Sequence, residues 1–272
     1  MKHPRHDDYD PGLTALSERV LVTVWPALAA YHDDLVLVGG LVPRYLCRPL
    51  PPMLPAVTMD VDLGISLGAS VGQYGSLSSH LLGLGFKKAN ERFVKRVSDR
   101  VDIYLDFLTE VPGKTSGTVM VDDVPTSVFR GIDRALAVNR ACEISATDIY
   151  GAPVRCHVRV CEAGPFLVLK LIAFAQRRQP KDAFDLHQFA LHYDGGAAAA
   201  IAAFAAEREV NSGYALARAT LADHFTTHNA SGPLRGAAFV FGENPATPST
   251  ADEHLRFREE LVNFGQALLE AT

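Results

Sequence analysis

Hydrophobic positions change their spacing along the chain, and the change divides it into two parts. Apolar residues recur at helical spacing over 13–31, and then form short runs typical of strands. These predicted strands cover 35–38, 58–66, 86–88, 92–97, 101–108, 142–150 and 154–160. Beyond residue 161 the spacing is helical again, over 164–176, 181–193, 195–209, 213–224 and 250–271. The pattern predicts an α/β (α+β) fold with a β-sheet domain followed by a C-terminal helical domain.

Glycine, proline and capping residues mark the ends of these elements. Gly39 and Gly40 follow the first strand and precede a helical segment at 41–46, and a proline-rich loop is expected over 44–55. Pro26 is expected to kink or end the first helix, and a helix over 71–84 closes at Gly85. Loops are expected at 229–235 and 242–249, with Ser249 or Thr250 capping the last helix. The predicted division is a leader and helix (1–34), a sheet domain (35–161) and a helical domain (162–272).

Composition narrows the class of protein. The net charge of −5 argues against a general nucleic-acid coat, which needs an excess of Lys and Arg. The longest apolar stretches are too short to span a bilayer, and the polar N-terminus lacks the apolar region of a secretory signal. We therefore expect a cytoplasmic protein with no membrane partner.

The cysteines argue against a zinc site and against a disulfide framework. No Cys-x-x-Cys pair is formed by Cys47, Cys142, Cys156 and Cys161.

One basic segment stands out against this acidic background. Residues 87–100 carry six cations and two anions. The segment is either the solvated face of a hairpin or a local patch for a nucleic-acid acceptor.

The most informative stretch is the strand that contains Asp60 and Asp62. Side chains alternate along a strand, so both carboxylates project to one side while Val61 and Leu63 pack on the other. Two like charges at this spacing require a compensating cation or hydrogen-bond donors, and Mg²⁺ takes hard oxygen ligands of this kind. The pattern favours a metal-assisted phosphoryl or nucleotidyl transfer site.

A later strand offers a third carboxylate. Asp102, Tyr104 and Asp106 share one face of the strand at 101–108. Asp106 is preferred because it lies towards the end of the strand, where it can meet the first pair. Asp102 remains the rival, with Arg100 or Lys95 as its expected surface partner.

Further candidates each have a structural alternative. Lys170 lies in an apolar helix, where it must either extend to the surface or meet an anion. Asp182 follows Pro180 and is placed to favour a helix N-terminus, while Lys181 and Asp185 fit a solvated pair four residues apart. The Gly39-Gly40 pair fits a phosphate cradle, but also a plain turn.

Four short motifs in this order resemble those of the polymerase-β-like nucleotidyltransferases, in particular the branch of AbiEii-type toxins. They are Gly39-Gly40, then Thr58-x-Asp60-x-Asp62-Leu63, then Leu105-Asp106-Phe107-Leu108, and finally Lys170-x-x-Ala173 with Arg177/Arg178 and Lys181-Asp182-x-x-Asp185-Leu186. The resemblance covers roughly residues 35–186. It implies a nucleotidyltransferase-type mixed sheet with flanking helices and transfer of a nucleoside monophosphate from an NTP to an acceptor hydroxyl.

The resemblance also assigns roles to residues. Asp60, Asp62 and Asp106 would bind Mg²⁺ or Mn²⁺. Gly39, Gly40, Arg44, Thr58 and Lys170 would contact the nucleotide. Asp182 would be a further polar residue of the active site. The implied partners are NTP, an RNA acceptor such as the 3′ end of tRNA, and an antitoxin protein.

The chain departs from the family pattern at two places. The first motif reads Gly-Gly where Gly-Ser is common, which removes a hydroxyl near the phosphates. Ala56 stands where the family often has an arginine before the Thr-x-Asp-x-Asp motif, so that Arg44 or Arg48 would replace it.

Other function classes fit the residues less well. A glycosyltransferase would leave Gly39-Gly40 and the segment 170–182 unused, and Gly64 breaks the pattern of aspartyl-phosphate phosphatases. Transfer to a small molecule, as in antibiotic nucleotidyltransferases, is the alternative reaction. A catalytically silent nucleotide-binding scaffold is the alternative from another class.

Overall fold

The computed structural model describes residues 5–9, 11–48, 56–69, 76–98, 101–244 and 247–271. Over these residues the protein is a mixed α/β structure, in which helices accompany a multi-stranded mixed sheet, as the sequence predicts. The chain divides into two compact units. The sheet unit comprises residues 11–45 and 57–162, and the helical unit contains the described residues of 1–10, 46–56 and 163–272.

The sheet unit contains the first four helices and all the described strands. The helices are α1 (Pro11–Ala27), α2 (Val42–Leu46), α3 (Leu77–Gly83) and α4 (Ile132–Ala137). The strands are β1 (Leu35–Val38), β2 (Asp60–Ile65), β3 (Lys87–Ala89), β4 (Arg92–Ser98), β5 (Val101–Thr109), β6 (Thr118–Val121), β7 (Val124–Val128), β8 (Asn139–Thr147) and β9 (Pro153–Cys161). The sheet order is β3-β4-β5-β2-β1-β9-β8, and β7 joins the end of β5 and pairs with β6.

Strand alternation explains which side of the central strands is buried. On β5 the side chains of Ile103, Leu105 and Phe107 are buried, while the intervening Tyr104 and Asp106 are partly exposed. On the neighbouring β2 the aliphatic Val61 and Leu63 are buried and Asp60 and Asp62 are partly exposed. The apolar face is buried in the core, and the acidic residues share the opposite face.

The helical unit is assembled around aromatic side chains. Its helices are α5 (Ala163–Arg177), α6 (Pro180–His192), α7 (Gly196–Ala205), α8 (Tyr214–His224), α9 (Ser231–Phe241) and α10 (Pro248–Glu270). Phe166 of α5 stacks on Phe189 of α6 with 4.6 Å between the ring centroids, and Phe174 meets Phe225 edge-on at 4.9 Å. Across the described part of the chain, no helix combines the length and the apolar content needed to cross a bilayer.

Most predicted elements are present with shifted ends, and α1 ends one residue after Pro26. By its contacts α1 belongs to the sheet unit, whereas the predicted division grouped it with the leader. Residues 44–46 are helical and not part of the expected proline-rich loop, of which 49–55 lie outside the described residues. The helix predicted from residue 71 is described only from Leu77, because 70–75 also lie outside them.

The prediction of a loop at 229–235 was wrong for residues 231–235, which begin α9. Pro233 lies in the first turn of that helix, where its missing N–H has no helical partner to lose. Gly236 faces Phe257, and a methyl group there would come within 2.8 Å of the ring. Proline is therefore compatible with α9 because it lies in the first turn, and glycine because a side chain there would clash with Phe257.

Other local features were also missed. The sequence reading assigned no element to β6, β7 or α4. The turn between β6 and β7 places Asp122 at a φ of +52°, and its carboxylate accepts a hydrogen bond from the N–H of Leu77 at the start of α3. The last helix is capped by Thr247, not by Ser249 or Thr250, because Pro248 takes the first helical position and the Thr247 hydroxyl accepts from the N–H of Thr250 at 3.2 Å.

Candidate active site

The parallel pairing of β2 with β5 brings the predicted carboxylates together. Asp62 lies directly opposite Asp106, and Asp60 lies opposite Tyr104. All four side chains project from one face of the sheet. Asp60 is 16% exposed and Asp106 is 26% exposed, so the carboxylates are partly withdrawn from water but remain accessible. Together with Arg92, described below, these three acids form what we call the acidic cluster.

Gly39 lies against this cluster at the end of β1. The antiparallel pairing of β1 with β2 places Val38 opposite Asp62, and Gly39 follows with a φ of +76°. A methyl group at Gly39 would overlap the Asp62 carboxylate. Glycine is therefore required here both for the backbone conformation and for the close approach of the acid. Gly40, the second glycine of the predicted cradle, is buried in the single 3₁₀ turn that leads into α2.

Arg92 is the residue of this site that the sequence reading missed. Its Nε donates to Asp106 Oδ1 at 2.8 Å, and its Nη2 donates to Asp106 Oδ2 at 2.5 Å and to Asp60 Oδ1 at 3.1 Å. The guanidinium carbon lies 4.1 Å from the centroid of the Tyr104 ring. One cation therefore joins two of the three carboxylates while stacking on an aromatic ring.

The charge balance of the acidic cluster is negative, and the protonation of Asp106 reflects it. Burial, followed by repulsion from Asp62, raises the pKa of Asp106 to about 6, against the opposing effect of its hydrogen bonds with Arg92. Within the described part of the chain, no group of three or more His, Cys, Asp or Glu side chains is arranged as metal ligands. At this cluster the Arg92 guanidinium lies between Asp60 and Asp106.

Geometry separates the two rivals for the third carboxylate. Asp106 faces Asp62 across the strand pair, whereas Asp102 forms an ion pair with Arg96 on β4. The hydrogen bond from Arg96 lowers the pKa of the Asp102 carboxyl. The partner expected from the sequence was Arg100 or Lys95. Lys95 instead donates to the carbonyl of Leu84 at 2.7 Å, and Arg100 lies outside the described residues.

Two of the predicted nucleotide contacts are engaged within the sheet unit. Arg44 donates to both oxygens of Glu18, at 2.7 and 2.8 Å. Thr58 is buried, and its hydroxyl accepts from the N–H of Asp60 at 3.3 Å. Thr58 thereby fixes the start of β2, and a contact of either residue with nucleotide stays a prediction.

Lys170 and Asp182 lie in the helical unit, within a second group of charges that we call the buried ion cluster. Its members are Lys170 and Arg177 on α5 and Lys181, Asp182 and Asp185 on α6. Lys170 Nζ lies 2.5 Å from Asp185 Oδ2 and 3.6 Å from Asp182 Oδ1. Lys170 is 5% exposed, so the lysine meets anions and does not extend to the surface.

The remaining contacts complete the buried ion cluster. Arg177 donates to both oxygens of Asp182, at 2.8 and 2.7 Å. Lys181 donates to both oxygens of Asp185, at 2.9 and 2.7 Å, so the predicted pair four residues apart exists but is buried, not solvated. Burial lowers the pKa of Lys170, but attraction to Asp185 and Asp182 outweighs it, and the pKa is raised. Lys170 therefore carries a full positive charge at neutral pH.

The basic segment of the sequence is largely committed to the protein itself. Arg92 and Arg96 pair with acids of β5, and Lys88 donates to the carbonyl of Asp123 at 3.1 Å. Together with the Lys95 contact, these interactions describe a hairpin face tied to neighbouring elements.

Comparison with known proteins adds no name to this geometry. No protein-family model matches the chain, and neither a curated protein nor a solved structure matches it.

Proposed function

We propose that this protein is a metal-dependent nucleotidyltransferase of the polymerase-β-like type, which moves a nucleoside monophosphate from an NTP to an acceptor hydroxyl. The observation that carries the proposal is the in-register pair of Asp62 and Asp106 on parallel strands, with Asp60 on the same face and Gly39 packed against Asp62. The order of motifs along the chain supports the same reaction, with a nucleotidyltransferase-type sheet as the proposed fold.

Carboxylates are the donors that a hard divalent cation takes, although the acids of the acidic cluster are not arranged as a ligand group while Arg92 bonds Asp60 and Asp106. Three carboxylates share one face, they outnumber the single guanidinium, and the raised pKa of Asp106 records their mutual repulsion after the effect of burial. Asp60, Asp62 and Asp106 would hold Mg²⁺ or Mn²⁺. When bound, the cation would neutralise charge on the phosphates of the NTP.

Residues of the sheet unit prepare this site in two ways. Thr58 and the β1–β2 pairing fix the position of Asp60 and Asp62. Gly39, with no side chain, lets the Asp62 carboxylate lie directly against the backbone, and contact of Gly39 or Gly40 with the phosphates is part of the proposal. A contact of Lys170 or Asp182 with nucleotide stays a prediction, since Lys170 is buried in the helical unit beside Asp185 and Asp182, and Arg177 holds Asp182.

Labelled nucleotide tests the proposal directly. The protein is incubated with Mg²⁺ and each α-labelled NTP, with total RNA, with an aminoglycoside, or with neither. Label on RNA supports transfer to an RNA acceptor such as tRNA, and co-expression with a neighbouring gene product then tests for an antitoxin. Label on the aminoglycoside supports the small-molecule reaction. Nucleotide binding without transfer to any acceptor would contradict both transfer reactions and support the catalytically silent nucleotide-binding scaffold.

The strand β5 offers a matched pair of variants. Asp106→Asn should lower the rate of transfer by about 10²- to 10³-fold or more, as expected when one electrostatic group is removed from an active site. Asp102→Asn changes the same residue type on the same face of the same strand, but at the ion pair with Arg96, and should leave the rate unchanged. Equal activity of both variants would contradict the assignment of the cluster.

A further inference from the structure

Arg92 stands where two of the proposed cation ligands meet. The hairpin from β3 to β4 turns at Asn90, which has a φ of +56°, and its register with β5 places Phe93 opposite Leu105 and Val94 opposite Tyr104. Arg92 therefore reaches the end of β5 at which Asp106 lies. Its position is fixed by strand pairing and not by a flexible loop.

The contacts of Arg92 use the oxygens that a cation would need. Its guanidinium donates hydrogen bonds to both oxygens of Asp106, and Nη2 also donates to Asp60 Oδ1. A single nitrogen within 3.1 Å of both carboxylates lies in the gap between them. Mg²⁺ binds carboxylate oxygens at about 2.0–2.1 Å and would have to enter the same gap. Two positive charges in contact there would repel one another strongly in a partly buried site.

The Arg92 side chain has contacts other than those with the two acids. It contacts the ring of Tyr104 in addition to its hydrogen bonds with the two acids. The Arg92 side chain is 33% exposed, so its outer part already meets solvent. Release of Asp60 and Asp106 requires a change in the side-chain torsions of Arg92, whose backbone belongs to β4.

We propose that Arg92 is an internal competitor of the divalent cation, holding Asp60 and Asp106 until the cation displaces its guanidinium from the gap between them. This inference rests on the proposed cation site of the nucleotidyltransferase. Arg92 thereby weakens binding of free cation and prevents the acids from repelling one another when no cation is bound. The residue sets the cation concentration at which the site fills.

Binding of Mn²⁺ by the isolated protein tests this without any turnover. Free Mn²⁺ is followed by electron paramagnetic resonance for the wild type, Arg92→Gln, Arg92→Lys and Arg96→Gln. Arg92→Gln should bind Mn²⁺ about tenfold more tightly, because one charge-assisted competitor is gone. Arg92→Lys should fall between it and the wild type, since an ammonium keeps the charge but cannot span both acids as the planar fork does.

The control and the contrary results are distinct. Arg96→Gln lies on the same strand and removes a guanidinium that pairs with Asp102, so its Mn²⁺ affinity should equal that of the wild type. If Arg92→Gln binds Mn²⁺ no more tightly than the wild type, or less tightly, Arg92 supports the acids and does not compete, and the inference is overturned. If Arg92→Gln does not fold, as judged by circular dichroism, the affinity of Arg92→Lys decides in the same way.

Failure of the proposed function gives a different pattern. If neither the wild type nor any variant binds Mn²⁺ at millimolar concentration, both the proposed cation site and the proposed competition are contradicted. Binding that depends on Asp62 but is unaffected by Arg92 would remove only the competition. Tighter binding by Arg92→Gln in a protein with no transfer activity would keep the competition and remove the reaction.

Discussion

The acidic cluster and the buried ion cluster are built from the same kinds of side chain but have opposite balances of charge. The acidic cluster sets three carboxylates against Arg92, and its ion-paired side chains are partly exposed. The buried ion cluster sets Lys170, Arg177 and Lys181 against two carboxylates, and all of its side chains except that of Arg177 are almost fully buried. In the acidic cluster, accessibility and the excess of carboxylates favour replacement of Arg92 by another cation. In the buried ion cluster, burial favours ion pairs that stay formed.

The pairing within each cluster explains this difference. In the buried ion cluster, each carboxylate has two cationic groups within 4 Å, so removing an acid takes a contact from two cations at once. In the acidic cluster a single cation is shared by two acids, and Asp62 raises the pKa of Asp106 in addition to burial. Loss of an acid should therefore have opposite consequences for stability in the two places.

The largest effect is expected for Asp185→Asn. This change leaves Lys170 and Lys181 without their shortest contacts in a buried site, and should lower the free energy of unfolding by about 3–5 kcal/mol. Urea denaturation followed by circular dichroism measures it.

Lys170→Met is the matched control for that variant. It reduces the cations of the cluster from three to two and leaves Asp185 paired with Lys181 and Asp182 paired with Arg177, so it should be the less destabilising change. A larger loss for Lys170→Met than for Asp185→Asn would show that the balance of charge does not decide stability in the buried ion cluster.

A smaller loss is expected for Gly39→Ala, at the edge of the acidic cluster. The left-handed backbone at Gly39 costs an alanine about 1–2 kcal/mol, and the methyl group would also displace the Asp62 carboxylate. We expect a total loss of about 2–3 kcal/mol in unfolding free energy, together with weaker Mn²⁺ binding.

Gly113→Ala separates the two contributions to that loss. Gly113 has a φ of +79°, close to that of Gly39, but a methyl group there would meet nothing within 4 Å. The difference between the variants in urea denaturation therefore measures the contact with Asp62. Equal losses would mean that only the backbone requires glycine at position 39.

Local periodicity was sufficient to predict much of the acidic cluster. Alternation along β2 and β5 placed Asp60, Asp62 and Asp106 on the correct faces, since the period of a strand is independent of what lies beside it. Arg92 could not be found in this way. Its contact with Asp106 depends on the register between β4 and β5, which the alternation within one strand does not specify.

The buried ion cluster shows the same limit in a helical setting. Apolar spacing predicted α5 and α6, and left two alternatives open for Lys170, extension to the surface or contact with an anion. The spacing of Lys181 and Asp185 was also correct, but their burial depends on how α6 packs against its neighbours. A pair expected to be solvated therefore lies inside the unit.

A moderate effect of opposite sign is expected for Asp62→Asn. In the wild type, the folded-state pKa of Asp106 is about 6, above the unfolded value near 3.9, so the folded state binds its proton more tightly. The stability from this group is fully present below about pH 4 and is lost as the pH rises through about 6.

Removing the Asp62 charge should lower the pKa of Asp106 and reduce that loss. We expect Asp62→Asn to be about 1 kcal/mol more stable than the wild type at pH 7, the value of roughly one pKa unit, with a smaller difference at pH 4. Urea denaturation at the two pH values measures both differences. A difference that is the same at pH 4 and pH 7 would contradict the coupling of Asp62 to Asp106.

The smallest effect is expected at Arg96 and Asp102, which lie on the same two strands as Arg92 and Asp106. Their double-mutant cycle, from Arg96→Gln and Asp102→Asn, should give a coupling energy of about 0.2–1 kcal/mol, because both side chains are more accessible and salt screens the pair. The cycle from Arg92→Gln and Asp106→Asn should give a larger value, since Arg92 bonds both oxygens of a more buried acid and also joins Asp60. Raising the salt concentration should reduce the first coupling energy and affect the second less. Equal coupling energies with equal salt dependence would mean that the Arg92–Asp106 ion pair is no stronger than the Arg96–Asp102 pair. The acidic cluster would then not differ from the rest of this face of the sheet.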